Sequence, residues 1–165
     1  MPKETKTFVI FRLGEEEFGV EVKNIKEITK MTTITRVPRA PDFIEGVINL
    51  RGSLTTVVNL RKRFRFGFEP RGETERETET EADSRIIIAE LEGKPVGMLV
   101  DAATEVLRIP VSEIEATPEM VTTEVSKKYL KGVGKVENRL IVLLDLERVL
   151  GKTDEEEKKK KKGNE

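Results

Sequence analysis

The chain reads as all-β, a barrel or a sandwich, and three observations carry that reading. Four pairs of short runs rich in Val, Ile, Leu and Thr are each joined by a turn signal, at 14–15, 52–53, 92–94 and 137–139. These hairpins follow one another at short intervals, as in small barrels. Helical spacing appears only in fragments of one or two turns, too little to cover a sheet. At 165 residues the chain suits one domain or two small, intimately packed ones. A chain of this size buries about 70% of its unfolded surface, so no disulfide or metal is needed to hold it.

Residues 1–4 form a frayed start. In 6–13, Phe8 and Ile10 alternate with Val9, Phe11 and Leu13, giving a strand with two apolar faces. Gly14-Glu15 turns it, and 17–22 returns as the second arm. Residues 23–28 are too polar for a strand, and the i, i+3 spacing of Ile25 and Ile28 predicts one or two helical turns. The β-branched stretch 29–37 then predicts a strand, ended by Pro38 and Pro41.

The central hairpin joins 47–50 to 54–60. Gly52-Ser53 is a two-residue turn signal, because Gly takes a positive φ at the first turn position. That turn pairs Arg51 with Leu54, Leu50 with Thr55, Asn49 with Thr56, Ile48 with Val57 and Val47 with Val58. Ile48, Leu50, Thr55 and Val57 then share one face; Val47, Asn49, Arg51, Leu54, Thr56 and Val58 share the other. Arg51 sits beside the turn, at the rim of an apolar hairpin.

After a helical turn at 60–64 the composition changes. Residues 69–83, EPRGETERETETEAD, have almost no apolar side chain and are expected to be a disordered, solvated spacer. They lack the spaced ligands and Gly of a calcium loop. Runs 85–91 and 96–100 form the third hairpin, and Ile86-Ile87-Ile88 predicts burial on both faces. A strand at 105–109 stops at Pro110, and 111–128 is irregular. Runs 130–136 and 140–146 form the last hairpin, and 146–150 starts a closing helix. The Lys/Glu tail 152–165 belongs in solvent. No sequence repeat relates the hairpins.

Composition excludes several classes of function. With 30 basic and 31 acidic residues the net charge is −1, which argues against nucleic acid or anionic lipid as the main partner. One Tyr and no Trp leave no platform for stacking bases. There is no His and no Cys, so Ser–His and Cys–His catalysis, phosphotransfer through histidine, and zinc sites on Cys or His are all excluded. Asp42, Asp101 and Asp145 are available for carboxylate chemistry, but none stands in a motif that a reaction needs. No catalytic, cofactor-binding or metal-binding residue is expected. No run of about 18 apolar residues predicts insertion into a membrane, and the lack of Cys suits a cytoplasmic protein.

Gly46-Val-Ile-Asn-Leu-Arg-Gly52, followed by Val57-Val-Asn-Leu-Arg61, resembles the signature of the CheW family, adaptors that couple chemoreceptors to the histidine kinase CheA. Phe18-Gly-Val20, Ile25-Lys-Glu-Ile28, Pro95-Val-Gly97, Val100-Asp101 and Tyr129-Leu-Lys-Gly132 follow the family's order, so the likeness spans 5–150. It implies two intertwined, small, five-stranded SH3-like barrels with short flanking helices, and 151–165 as an appended tail. It also implies a non-enzymatic adaptor whose partners are the regulatory domain of CheA and the signalling tip of a chemoreceptor. Self-association in arrays is left open. The alternative is a small β-barrel module that binds protein or nucleic acid outside chemotaxis. The chain departs from the family in two places: Thr56 stands where a proline is usual, and the acidic segment is long.

Each candidate residue has two readings. By position alone Arg51 is a turn-side arginine paired with some carboxylate; by resemblance it is a contact for receptor and kinase. Ile25 and Ile28 are buried with Glu27 in water, or Ile25 and Glu27 edge a partner groove. Gly97 permits close backbone approach, Asp101 ends a strand and Val106 is core; by resemblance 97–107 lines the other wall of that groove.

Overall fold

The computed structural model describes residues 4–64, 83–115 and 129–151. Residues 69–82 of the expected spacer, 116–128 of the irregular stretch and the whole tail from 152 lie outside the described residues. The chain crosses between two curled sheets. Strands β1 (Thr5–Leu13) and β2 (Glu16–Glu21) begin the first sheet, and a 3-10 turn at Val22–Asn24 leads out of it. The second sheet takes β3 (Ile25–Lys30), β4 (Ile44–Leu50), β5 (Ser53–Asn59), β6 (Arg85–Leu91) and β7 (Lys94–Val100), with the short helix α1 (Leu60–Phe64) after β5. The chain then returns to the first sheet as β8 (Ala102–Pro110), the two-residue β9 (Ile114–Glu115), β10 (Leu130–Val136) and β11 (Arg139–Leu144). A single π-type turn, Glu147–Gly151, closes it.

Both sheets follow one plan. The first has the order β8-β1-β2-β11-β10-β9, and the second β3-β6-β7-β5-β4. In each, a hairpin from one half of the chain inserts among strands of the other half. Its first arm pairs antiparallel with β8 or β3, and its second arm pairs parallel with β11 or β5. The sixth strand has a counterpart too. Ile114-Glu115 pairs with Gly134 and Val133 of β10, and the bridge Thr35–Val47 does the same for β4. Gly132 and Gly46 admit these segments: a Cβ would stand 2.6 Å from the Glu115 carbonyl oxygen and 2.2 Å from that of Thr35. The result is a pair of SH3-like barrels, all-β as the sequence predicts. The barrels repeat in topology although the sequence does not.

Three apolar clusters follow from the alternation of each strand. Phe8, Ile10, Ile109, Ile141 and Leu143 fill the first barrel; Ile48, Val57, Ile86 and Ile88 fill the second. The opposite faces meet in a shared core that includes Phe11, Phe18, Val58, Ile87, Met98 and Leu144, with Leu60 and Phe64 of α1 between them. Burying each large side chain contributes about 1.5–3 kcal/mol. Rings run through this core from Phe11 to Phe18 (5.8 Å), Phe64 (6.3 Å) and Tyr129 (5.1 Å). Ile86, Ile87 and Ile88 are buried on both faces of β6, as their unbroken run predicts.

Two local expectations are corrected. The helical turn expected at 23–28 is a 3-10 turn at Val22–Asn24, and Ile25–Lys30 is a strand. A bulge between Ile25 and Glu27 hides its alternation, so i, i+3 mimics a helix. The strand expected at 29–37 reduces to the end of β3 and the bridge at Thr35. In the central hairpin the turn is Arg51-Gly52, one residue earlier than expected, and Leu50 pairs with Ser53, Asn49 with Leu54 and Ile48 with Thr55. The shift leaves both faces intact, because every partner moves by two.

Candidate functional site

Arg51 and Gly52 have φ of 50° and 87°, the left-handed pair of a type I′ turn, whose twist matches that of the strands. Gly takes this conformation freely, whereas Arg51 costs about 1 kcal/mol. Asn49 Oδ1 accepts the Gly52 amide hydrogen at 2.8 Å and fixes the loop. The turn carries Arg51 across the mouth of its barrel to Glu27 on β3, where both terminal guanidinium nitrogens donate to Glu27 Oε2, one of them at 2.6 Å. This contact joins two of the sequence candidates. The Arg51 side chain remains 68% exposed and that of Glu27 29%. An ion pair this open contributes little to stability.

The other candidates lie elsewhere. Ile25 is partly buried and packs against the shared core. Gly97 faces the interior of its barrel, where a Cβ would meet Ile86 at 2.9 Å and Val57 at 3.3 Å. Gly19, its counterpart on β2, is equally hemmed in by Leu143 and Ile10. Asp101, between β7 and β8, is committed internally. Its carboxylate accepts the Gly14 amide hydrogen at 2.7 Å and takes Arg61 side-on, from Nε at 3.0 Å and from Nη2 at 2.8 Å. Val106 is not core: on β8, an edge strand of the first sheet, it is 57% exposed.

Sequence reasoning missed Ile28 and Leu54. Leu54 is 75% exposed on the arm that leaves the Arg51 turn, and Ile28 is exposed next to Glu27. The signal for Leu54 was present, since it is an aliphatic residue on the face shared with Asn49 and Thr56. It also missed Arg139 at the corresponding end of the other barrel. Its guanidinium holds Glu17, with Nε at 3.1 Å, and Glu105 at 2.7 Å. Hydrogen bonding from Arg139 lowers the Glu17 pKa against the opposing effect of burial, and the two carboxylates raise that of Arg139. Among the described residues no group of three or more acidic side chains is arranged to hold a metal ion.

The family model for the CheW-like domain matches residues 7–154, most of the chain. The chain belongs to the CheW family. A chemotaxis protein CheW of Bacillus subtilis is 37% identical, with 92% of this chain and 93% of that protein covered. A probable chemotaxis protein CheW of Rhizobium etli is 32% identical over 92% and 91%. The crystal structure of the scaffolding protein TtCheW from Thermoanaerobacter tengcongensis superposes with a TM-score of 0.74 at 36% identity, covering 88% of this chain and 87% of that one. CheW proteins are scaffolds, and this chain is a coupling adaptor of chemotaxis. No helix among the described residues is long and apolar enough to cross a membrane.

Proposed function

We propose that the chain works without catalysis in the cytoplasm, holding the signalling tip of a chemoreceptor against the regulatory domain of CheA. Arg51, paired with Glu27 at the mouth of the second barrel, is the polar centre of a contact surface flanked by Ile28 and Leu54. Val106 belongs to the apolar wall that receives the receptor's helical tip, and Ile25, Gly97 and Asp101 back these surfaces from within. The observation that carries the reading is Arg51 itself. A residue in the left-handed region, largely in water, does little for the fold, and strain of that kind collects at functional positions. Its planar fork, satisfied by one carboxylate oxygen, keeps donors for a partner's carboxylate. Receptor and kinase held on one body bias each other's conformations by differential binding.

The test replaces Arg51 by Glu and measures affinity for an isolated CheA regulatory domain and for a receptor tip. Association weakens by about 2 kcal/mol, roughly 30-fold, while stability changes by no more than about 0.5 kcal/mol. A variant that binds both partners normally removes Arg51 from the interface, and one that unfolds makes it structural.

A further inference from the structure

We infer that the contact of Arg61 and the Gly14 amide with Asp101 is a clasp that sets the angle between the two barrels, making Asp101 a positioning residue. The three groups come from three separate places in the chain. Gly14 is the β1–β2 turn of the first barrel, Arg61 lies on α1 below the second, and Asp101 is the link where the chain passes from one to the other. The link is also pinned by its backbone, since the Asp101 amide donates to the Arg12 carbonyl at 3.1 Å. The Asp101 and Arg61 side chains are only 12% and 19% exposed, so water competes weakly for them.

The shared core cannot do this work alone. Apolar contact is non-directional and tolerates one face rotating over the other, so it fixes separation better than angle. A carboxylate gripped by a guanidinium and a backbone amide has a narrow geometry. The repeated plan of the barrels shows that the clasp is one-sided. Counting from the two hairpin turns, the position of Asp101 is held in the other half by Lys23; counting from Val57 and Leu143, which pair with the counterparts Gly97 and Gly19, that of Arg61 is held by Glu147. The charges are reversed, yet among the described residues Lys23 pairs with Glu21 at 3.8 Å and forms no ion pair with Glu147. Of the two corresponding pairs only Asp101 and Arg61 are joined, so the clasp is asymmetric, as in a hinge. This inference deepens the proposed function, because a scaffold with surfaces on two barrels presents them at whatever angle the clasp fixes.

The test needs no partner. The chain has no Cys, so Leu54→Cys and Leu140→Cys place one spin label on an exposed site of each barrel. Pulsed electron-spin distance measurements then compare Asp101→Asn and Arg61→Lys with the parent, with Arg51→Glu as a control at a barrel mouth. The expected result is about a twofold broadening, or a shifted mean, for both clasp variants and none for the control. Melting temperatures are measured alongside. Clasp variants that melt earlier but keep the parental distance distribution overturn the inference, as does equal broadening in the control. If Asp101→Asn does not fold, Arg61→Lys alone decides, since it keeps the charge and loses only the fork. Failure here leaves the partner-binding test of Arg51 untouched, and the converse also holds.

Discussion

The two barrels share a strand order and differ in how their mouths are closed. In the second, the closing arginine is on the turn itself, strained, open to water and tied to one carboxylate. In the first, Arg139 is the first strand residue beyond the turn, less exposed, and holds carboxylates from β2 and β8 together. Their partners correspond: Glu27 lies opposite Ile88 and Glu105 opposite Ile10, each three residues before the end of its hairpin's first arm. A bulge adjoins both. The equivalent glutamates thus take an arginine from the turn in one barrel and from the strand beyond the turn in the other. The interiors differ as well. Ile141 fills the first barrel where Thr55 stands in the second, with its buried hydroxyl lacking a partner among the described residues.

The strongest way to break the comparison is at the close approaches. Gly46→Ala and Gly132→Ala should each cost about 3 kcal/mol, because the added methyl meets a backbone oxygen that cannot move aside. If only one of them destabilises in denaturant titration, the two plans are not equivalent in energy. Exchanging the interior residues comes next. Ile141→Thr should lose about 2 kcal/mol, and Thr55→Val should gain about 1 kcal/mol by removing an unsatisfied hydroxyl at constant shape. A Thr55→Val protein that melts lower would reveal a hydrogen bond to that oxygen.

Smaller effects separate the arginines. Arg139→Gln should cost about 1 kcal/mol, the upper end for exposed ion pairs, because one guanidinium serves two carboxylates, and partner affinity should stay unchanged. Arg51→Glu should do the reverse, so calorimetry of both variants sharpens the contrast. The smallest effect is with pH. The Glu17 pKa lies below its ordinary 4.5 through hydrogen bonding with Arg139. Burial raises that of Glu21, but Lys131, Lys23 and Lys6 together outweigh it and leave it lowered. A carboxylate with a lowered folded pKa stabilises above its unfolded pKa, and that stability fades as pH falls through the folded one. Below about pH 4.5 the first barrel should weaken, and Glu17→Gln should flatten the decline in melting temperature. An unchanged slope would mean that the pair with Arg139 persists in the unfolded chain.

Much of this was legible in the sequence. Gly14-Glu15 and Glu92-Gly93 located two hairpins, Ile86–Ile88 announced a doubly buried strand, and the faces of the central hairpin were right because alternation survives a shift by two. The turn itself was misplaced. Local preference puts Gly52 first, whereas the structure puts Arg51 there at a positive φ, supported by Glu27 from a distant strand and by Asn49. Local rules cannot weigh a partner 24 residues away. Bulges disguised β3, since one extra residue makes a strand look helical. Asp101 could be read only as the end of a strand, because its commitments to Gly14 and Arg61 are tertiary. Arg51, by contrast, lies in the motif that marks the family, and its exposure beside a turn follows from the hairpin pattern.

The exchanged hairpins bear on how the protein is made. As the chain leaves the ribosome, β1 and β2 emerge with half of each edge unpaired, and their partners β8 and β11 follow only some ninety to one hundred and thirty residues later. At about 5–20 residues per second that wait lasts about 5–25 seconds, long on the scale of hairpin formation. The second sheet waits less, because β6 and β7 reach strands that are already present. Synthesis therefore favours completing the second barrel first, around Ile86 and Val57, with the opening hairpin held as an aggregation-prone edge until the last strand arrives. Neither half of the gene encodes a barrel, so a truncated product or a stalled ribosome displays open sheet edges to the cell's chaperones.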